Sequence, residues 1–273
     1  SIPKSGQTTI RVSRDAPQNL EIKLMSRKLL LLSLLPMLPA AAAAAEWTFE
    51  LEPYIMATSI SGDTSVGRVT GVEVDVDMSD ILENLEMAAM LHFEAHSSGG
   101  WGFALDYGFM DLGADISAPL GGVIDADLRQ GVLEALVMRR TEMGGGQLDI
   151  MGGFRWWDND IDIQVDPAIW PGTVDFGVKE DWFDLVVGAR FTKPIGERWK
   201  MQLRGDVGGL GLEADFTSTL GASFRFAMTQ SIELDLQYRA TWVDYESGSR
   251  GDPGYFQYDT VTHGPVIGVN FKF

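Results

Sequence analysis

One stretch decides the fold of this chain: Ile232-Glu233-Leu234-Asp235-Leu236-Gln237-Tyr238-Arg239-Ala240-Thr241-Trp242. Apolar and polar side chains alternate here, so an extended strand places the apolar set on one face and the polar set on the other. A helix would mix the two sets, because it has 3.6 residues per turn. The stretch therefore predicts a β-strand with one oily and one charged face.

The same alternation recurs from residue 46 to residue 273. It predicts ten strands, at 47–58, 87–96, 101–112, 127–139, 147–157, 181–193, 199–207, 215–227, 231–243 and 258–273. Many are long enough to cross a bilayer at a tilt, which takes about 9 to 11 residues. Along the chain, short connections largely alternate with longer acidic ones at 60–86, 161–180 and 246–257. We predict an all-β fold, a transmembrane antiparallel up-and-down barrel of about ten strands, with eight or twelve as alternatives and no second domain.

Composition excludes several classes of protein. The chain has 31 glycines, 8 tryptophans, no cysteine and a formal net charge of −18. Many glycines and aromatic residues suit an all-β protein better than a helical enzyme. The lack of cysteine excludes disulfides, thiol catalysis and thiolate metal sites. The acidic charge repels nucleic acid, so no nucleic-acid partner is expected.

The N-terminal region predicts export. Residues 25–45 have the order of a secretory signal peptide, in which a basic start is followed by an apolar run at 29–35 and by small residues before Glu46. We expect cleavage after Ala45, which leaves 46–273 as the mature barrel, and we treat 1–24 as an unstructured upstream extension. The alternative, an uncleaved anchor, is disfavoured because the apolar run is short and is broken by Pro36 and Pro39.

The orientation of the two faces is the central question, because a soluble barrel with an apolar interior also shows alternation. The oily face carries side chains as large as Trp101, Phe103 and Phe109 on one strand, too many to fill the inside of a ten-strand barrel. The other face carries charges of both signs at mid-strand. We predict that these charges line the lumen: Glu50, Glu52, His92, Glu94, Asp106, Glu134, Asp149, Arg155, Asp184, Arg190, Arg204, Asp206, Arg225, Glu233, Asp235 and Arg239.

An ion-pair network threaded by water is expected in this lumen, because unpaired burial of charge in a narrow barrel is costly. Large solutes should not pass. Two functions remain open, a narrow channel for small polar solutes or ions and a structural barrel with a closed lumen. We expect no cofactor.

The C-terminal stretch carries a family resemblance. Val269, Phe271 and Phe273 alternate with polar residues up to an aromatic last residue. This ending resembles the signature of bacterial outer-membrane β-barrel proteins, and segments 76–85 and 205–211 resemble small barrels of the OmpA/OmpW-like kind. The resemblance implies an outer-membrane location beside lipid and lipopolysaccharide. It also implies periplasmic chaperones and the barrel-assembly machinery as partners, with these three residues as the assembly signal, but no reaction or ligand.

One short helix is predicted at 79–86, inside the first long connection. Ser79 or Asp80 would cap it, and Ile81, Leu82 and Leu85 would form an apolar stripe. The helix could fold into the barrel mouth and plug it, or it could lie on the outer rim.

The three histidines are candidates for metal ligands or catalytic residues. His92 and His96 flank Glu94 on the inward face, but positions four apart lie about 13 Å apart along a strand. We therefore expect no compact metal site and assign the two histidines structural or solvated roles. His263 falls on the lipid-facing register, so it does not support a hydrolase that uses a Ser-His pair.

Two kinds of acidic motif are further candidates for a functional site. The pairs Asp75/Asp77 and Asp158/Asp160 resemble those of outer-membrane aspartyl-type proteases, but no Asp-His pair accompanies them. Segment 158–162 has the alternating oxygens of a calcium loop without its glycine and its last glutamate, so we expect at most loosely bound divalent cations. We predict a non-enzymatic protein. The competing class is an outer-membrane hydrolase that uses the inward acids.

Overall fold

The computed structural model describes residues 46–117, 123–166 and 174–273. These residues form a closed antiparallel barrel of ten strands, with a two-strand extension and one short helix. The predicted fold class is therefore confirmed. The predicted upstream extension at 1–24 and the signal peptide at 25–45 lie outside the described residues.

The elements follow one another along the chain with tight turns at one end of the barrel. The strands are β1 Trp47–Met56, β2 Ser59–Val66, β3 Val69–Val76, β4 Leu85–Ser97, β5 Trp101–Ser117, β6 Val123–Met143, β7 Gly146–Asp166, β8 Val174–Pro194, β9 Trp199–Gly209, β10 Phe216–Ala227, β11 Ile232–Ser247 and β12 Phe256–Lys272, and helix α1 is Met78–Glu83. Both ends of the barrel sequence lie at this turn end, since Phe49 exchanges backbone hydrogen bonds with Phe273.

Strand tilt follows from the register. The barrel wall runs β1, then β4 to β12, and β12 pairs back onto β1. Following the paired residues from strand to strand, a path that starts at Glu50 on β1 and passes through β4 to β11 arrives at Thr260 on β12. The residue of β12 that pairs directly with Glu50 is Lys272. The register has shifted by twelve residues over ten strands, which corresponds to a tilt of about 40°.

The outer face carries an apolar belt bounded by aromatic residues. Leu203 in this belt is 46% exposed, whereas Asp206 on the interior face of the same strand is 4% exposed. On β10, the outward residues Phe226 and Phe216 are ten positions apart. At about 3.3 Å per residue and this tilt, they lie about 25 Å apart along the barrel axis, the height of an outer-membrane apolar band. No helix among the described residues is long and apolar enough to cross a membrane.

The predicted first connection at 60–86 is wrong in part, because it contains the hairpin β2–β3. β2 continues β1 and pairs with the part of β12 farthest from the turn end, and β3 returns along β2. Ser59–Val66 is rich in serine, threonine and glycine on both faces, so it shows little contrast between alternate positions. Pairing with β12 sets its strand structure instead.

The predicted helix at 79–86 is shifted. α1 covers Met78–Glu83, and its N-cap is Asp77, whose side chain makes no capping hydrogen bond, so neither Ser79 nor Asp80 is the cap. Leu85 already belongs to β4, where it pairs with Leu112 of β5. Sheet pairing therefore overrides the helical pattern in the last residues of the segment.

The predicted connection at 161–180 is also shorter than expected. β6, β7 and β8 have 21 residues each, so β7 continues to Asp166 and β8 begins at Val174. The predicted calcium-like segment 158–162 therefore lies in a strand rather than in a loop. Its Asp160 pairs with Lys179 on β8 at 3.3 Å.

Candidate functional site: the barrel interior

All the predicted lumen charges lie on the interior face of the wall. They occupy alternate positions of their strands, on the opposite face from the apolar belt. Most of them form three groups of ion pairs, and two of them, Asp184 and Arg239, do not join a group. We call these groups the Glu94 group, the Glu134 group and the Arg225 group.

The Glu94 group crosses the lumen. Arg190 on β8 donates to both carboxylate oxygens of Glu94 on β4, which is four strands away around the wall. Arg190 also donates to Asp149 at 2.9 Å, and Arg140 donates to the other oxygen of Asp149 at 2.7 Å. These side chains therefore tie nearly opposite walls of the barrel together.

The two inward histidines converge on the same carboxylate. His92 Nε2 lies 2.9 Å from one oxygen of Glu94, and His96 Nε2 lies 2.7 Å from the other. His92 Nδ1 lies 2.8 Å from Asp106 on β5. The backbone separation that we predicted does not keep the side chains apart, because both rings lean toward the carboxylate between them. Within the part of the chain that the structure describes, no group of histidine and acidic side chains has the arrangement of a metal site.

The Glu134 group is a compact ring of two arginines and two acids. Arg155 donates to Glu134 at 2.5 Å and to Asp206 at 3.0 Å. Arg204 donates to Glu134 at 2.6 Å and to Asp206 at 2.8 Å. Each acid is therefore shared between two guanidinium groups, and the ring fills the centre of the barrel beside the Glu94 group.

The Arg225 group lies toward the turn end. Arg225 contacts three acids, Glu50 at 3.2 Å, Glu52 at 3.0 Å and Asp235 at 3.0 Å. Nearby, Lys200 and Lys272 share one oxygen of Glu233 at 2.8 Å and 2.5 Å. Since acids and cations are nearly balanced in the interior, the acidic excess of the chain lies mainly outside it.

Two charges stand apart from these groups. Arg239 forms no ion pair with any described residue. It lies over the ring of Tyr54 at 5.1 Å and donates to the Tyr54 hydroxyl at 3.3 Å, and that hydroxyl donates to Asp106 at 2.7 Å. Asp184 accepts a hydrogen bond from Trp157 Nε1 at 3.1 Å.

An aromatic cap closes the loop end of the interior, and the sequence analysis missed it. Its residues are Trp157, Trp182, Tyr245, Phe256 and Tyr258, all buried. Trp182 stacks on Tyr245 at 4.0 Å and on Trp157 at 5.5 Å. The signal was present, since Trp157, Trp182 and Tyr258 lie on the inward register at the ends of predicted strands, and Tyr245 and Phe256 continue that register just beyond them.

Helix α1 packs against the interior face at the loop end of the barrel through one residue. Ile81 is buried against Ile60 and Met110, which both lie on the interior face. Leu82 is exposed and does not contribute to this contact. Leu85 packs against the same cluster, but it does so from β4 and not from the helix. Of the three predicted plug residues, Ile81 alone reaches the interior from the helix.

The described residues enclose two cavities of note inside the barrel. A chamber of about 130 Å³, lined by Tyr54, Trp157 and Arg239 among others, lies between the Glu134 group and the aromatic cap. A vestibule of about 290 Å³, lined by Glu94, Arg190 and other charged residues, opens at the turn end. The ion pairs therefore separate the chamber from the vestibule.

The C-terminal strand closes the barrel. Phe271 and Phe273 point outward, and the ring of Phe273 stacks on Phe49 of β1 at 5.9 Å. Val269 lies opposite Leu234 on β11. The three residues of the predicted assembly signal therefore lie on the lipid-facing side of the closing seam.

The motifs considered for hydrolysis do not converge. His263 is on the outer face, where Nδ1 lies 2.8 Å from the hydroxyl of Tyr238. Asp158 and Asp160 lie on β7, in the middle of the strand order, while Asp75 lies on β3 at its end. The inward acids Glu94 and Asp206 are held by arginines.

The chain resembles solved outer-membrane barrels in fold. No family model and no curated protein matches its sequence. The outer membrane protease OmpT from Escherichia coli is similar with a TM-score of 0.50 and 6% identity, over 84% of this chain and 98% of that one. The translocator domain of the autotransporter NalP from Neisseria meningitidis is similar with a TM-score of 0.50 and 12% identity, over 94% and 97%. At these identities the similarity shows the fold alone.

Proposed function

We propose that this protein is an integral, non-enzymatic protein of the bacterial outer membrane whose lumen is closed at rest. The outward apolar belt of about 25 Å supports a membrane location. The similarity in fold to OmpT and NalP supports the outer membrane in particular. Export through a cleaved signal peptide at 25–45 belongs to the same proposal.

The observation that carries the closed lumen is the ion pair between Glu94 and Arg190. Their side chains are 4% and 7% exposed, and they join walls four strands apart. The Glu134 group fills the next layer, and the aromatic cap fills the mouth. A solute would have to displace all three layers to cross the barrel.

Conductance measurements test this proposal. The purified protein in planar lipid bilayers should show no discrete conductance steps at neutral pH. The double substitution Glu94→Ala with Arg190→Ala should not open a pore by itself, because the Glu134 group remains. Steps of constant size in the unsubstituted protein would overturn the closed lumen.

A gated channel for small polar solutes or ions is the second candidate. The polar vestibule of about 290 Å³ favours it, because water reaches the ion pairs from the turn end. Such a channel must rearrange its arginines to open. Steps that appear only above a threshold voltage would support the channel, and silence at all voltages would support the closed barrel.

An outer-membrane hydrolase is the remaining alternative. Its acids would be inward ones such as Glu94 and Asp206, yet each of these is engaged by arginine. Turnover of peptide, lipid or lipopolysaccharide that is lost in Glu94→Gln or Asp206→Asn would support a hydrolase. No turnover of any of the three would argue against it.

Assembly and lipid partners follow from the outer face. We propose that Val269, Phe271 and Phe273 guide the chain through periplasmic chaperones to the barrel-assembly machinery, and that the belt contacts lipid and lipopolysaccharide. The acidic loop end would attract divalent cations loosely at the membrane surface. A compact band on unboiled gels that shifts on heating is expected for the assembled barrel, and its absence from outer-membrane fractions would contradict the location.

A further inference from the structure

The barrel wall has a window between β1 and β4. The two strands pair from Trp47 with Ser97 up to Pro53 with Leu91. Beyond this point, Tyr54–Met56 pair with β12 alone, and Leu85–Met90 pair with β5 alone. Pro53 has no N–H to donate, which suits the last position of a ladder. We call the gap above Pro53 and Leu91 the β1–β4 window.

The exposure of Ala88 agrees with an open wall, because Ala88 occupies the inward register of β4 and is nevertheless exposed. Ile55 on the β1 side of the gap and Met87 on the β4 side point outward and are 68% and 54% exposed, as other residues of the apolar belt are. The residues of β5 opposite Leu91 and Ala89 are Tyr107 and Phe109, which face outward in the apolar belt. The window therefore opens within the loop-end half of the membrane belt.

Hydrocarbon cannot satisfy the unpaired backbone groups of two strand edges. Open edges at membrane depth are tolerated where they line a polar cavity or are covered. The chamber of about 130 Å³ supplies this cavity, since Met56 and Thr58 from one side of the window and Met90 from the other line it. Phe109, from the outer face, also lines it. The chamber therefore reaches the membrane side of the wall through the window.

The chamber is apolar near the window and has more cations than acids behind it. Met56, Met90 and Met110 form the apolar part. Behind them, the chamber is lined by three arginines and two acids, Arg155, Arg204, Arg239, Asp106 and Glu134. Arg239 has no ion pair with any described residue. Arg155 is 4% exposed, and its Nη1 has no hydrogen-bond partner among the described residues. Unused guanidinium donors next to flexible thioethers suit an anionic group attached to an apolar chain.

The size of the chamber limits what enters it. Its volume of about 130 Å³ is well below the roughly 300 Å³ of the smallest pockets that enclose a drug-sized ligand. A headgroup and a few methylene groups fit, and a long chain does not. The rest of an acyl chain would have to stay in the bilayer, which the window allows.

We propose that the β1–β4 window admits a single-chain anionic amphiphile from the outer leaflet. Its carboxylate or phosphate binds Arg239 and the free Nη1 of Arg155, and its chain passes Met56 and Met90 into the membrane. This binding site goes beyond the closed-lumen function, because it requires no passage through the ion-pair layers. A barrel without conductance can still bind such a ligand.

Photolabelling in phosphatidylcholine vesicles tests the proposal. The probe is palmitate with a diazirine near its carboxyl end, and the labelled residues are mapped by mass spectrometry. We expect labels on Met56, Met90 and Met110. Arg239→Gln should reduce this labelling at least about tenfold, as expected for the loss of a charge-assisted hydrogen bond in a closed site. Ala88→Trp should reduce it by blocking the window.

Matched variants separate this site from general membrane effects. Ala222→Trp places the same bulk on the outer face of β10, and Arg129→Gln removes an exposed arginine. Both should label like the unsubstituted protein, and the heat-dependent gel shift shows that each variant is folded. Labels confined to the outer belt would overturn the proposal. Labelling that survives both Arg239→Gln and Ala88→Trp would do the same, as would equal labelling by the corresponding alcohol probe.

Discussion

Replacement of Glu94 by alanine perturbs the interior network at its most connected acid. Glu94 accepts hydrogen bonds from Arg190, His92 and His96. Without it, the buried guanidinium of Arg190 keeps Asp149 as its remaining carboxylate partner. Breaking a buried ion pair from one side costs about 3–5 kcal/mol. Because Asp149 remains, we expect the lower end, about 3 kcal/mol, which is roughly a hundredfold in the folding equilibrium constant.

Urea titration of the barrel in lipid vesicles, followed by tryptophan fluorescence, measures this loss. The control Glu197→Ala removes an exposed acid in the β8–β9 turn and should change the free energy of unfolding by less than about 0.5 kcal/mol. The double variant Glu94→Ala with Arg190→Ala removes both charges. It should lose less stability than the sum of the two single variants, because no unpaired charge remains. A loss below about 1 kcal/mol for Glu94→Ala, or strict additivity, would refute the reasoning.

Three further substitutions test other parts of the barrel. Trp182→Ala should lower the free energy of unfolding by about 3–5 kcal/mol, because it leaves a cavity in the aromatic cap, and Trp156→Ala on the outer face should lower it less in the same titration. Equal losses in the two variants would contradict a stabilising role of the cap. Gly153→Val should abolish the compact unboiled band, because a Cβ there would lie 1.9 Å from a carbonyl oxygen of β6, whereas Gly196→Val in an open turn should keep it. Phe273→Ala should slow membrane insertion with little change in final stability, and an unchanged rate would remove it from the assembly signal.

Strand number and face orientation were predictable from the sequence because a membrane barrel imposes a strict period of two. On β11, Leu234 and Leu236 face outward, while Glu233, Asp235 and Arg239 face inward. One side meets hydrocarbon and the other meets the crowded interior, so the contrast between neighbouring residues is strong. Such contrast identifies strands without any knowledge of their partners.

The hairpin β2–β3 and the loop-end parts of β7 and β8 lie in segments that the sequence predicts as connections. β2 shows little contrast between alternate positions, because serine, threonine and glycine occupy both of its faces. β3, the end of β7 and the start of β8 do alternate, with apolar residues at Val72, Val74 and Val76, at Ile161, Ile163 and Val165, and at Val174, Phe176 and Val178. These runs are short and carry acidic residues between the apolar ones, so they resemble acidic loops until their partners are known. Pairing across the sheet, for example of Asp162 with Gly177, determines their strand structure.

The lumen residues were predictable, but their partners were not. Which arginine meets which acid depends on the shear of twelve residues, and this shear emerges only when the barrel closes. The pairing of Arg190 with Glu94 and the convergence of His92 and His96 on that acid are consequences of closure. The β1–β4 window is likewise a property of the pairing, and Pro53 was its one local signal.

Collisional accessibility of spin labels along β10 tests the orientation of the wall most directly. The chain has no cysteine, so single cysteines at positions 217 to 225 can each carry a nitroxide label in a lipid bilayer. We predict that accessibility to oxygen alternates with period two. Maxima should occur at Leu220, Ala222 and Phe224, and minima at Thr219 and Ser223. Maxima at Thr219 and Ser223, or high accessibility of Leu220 and Phe224 to a water-soluble nickel reagent, would contradict a barrel with its apolar face in the membrane.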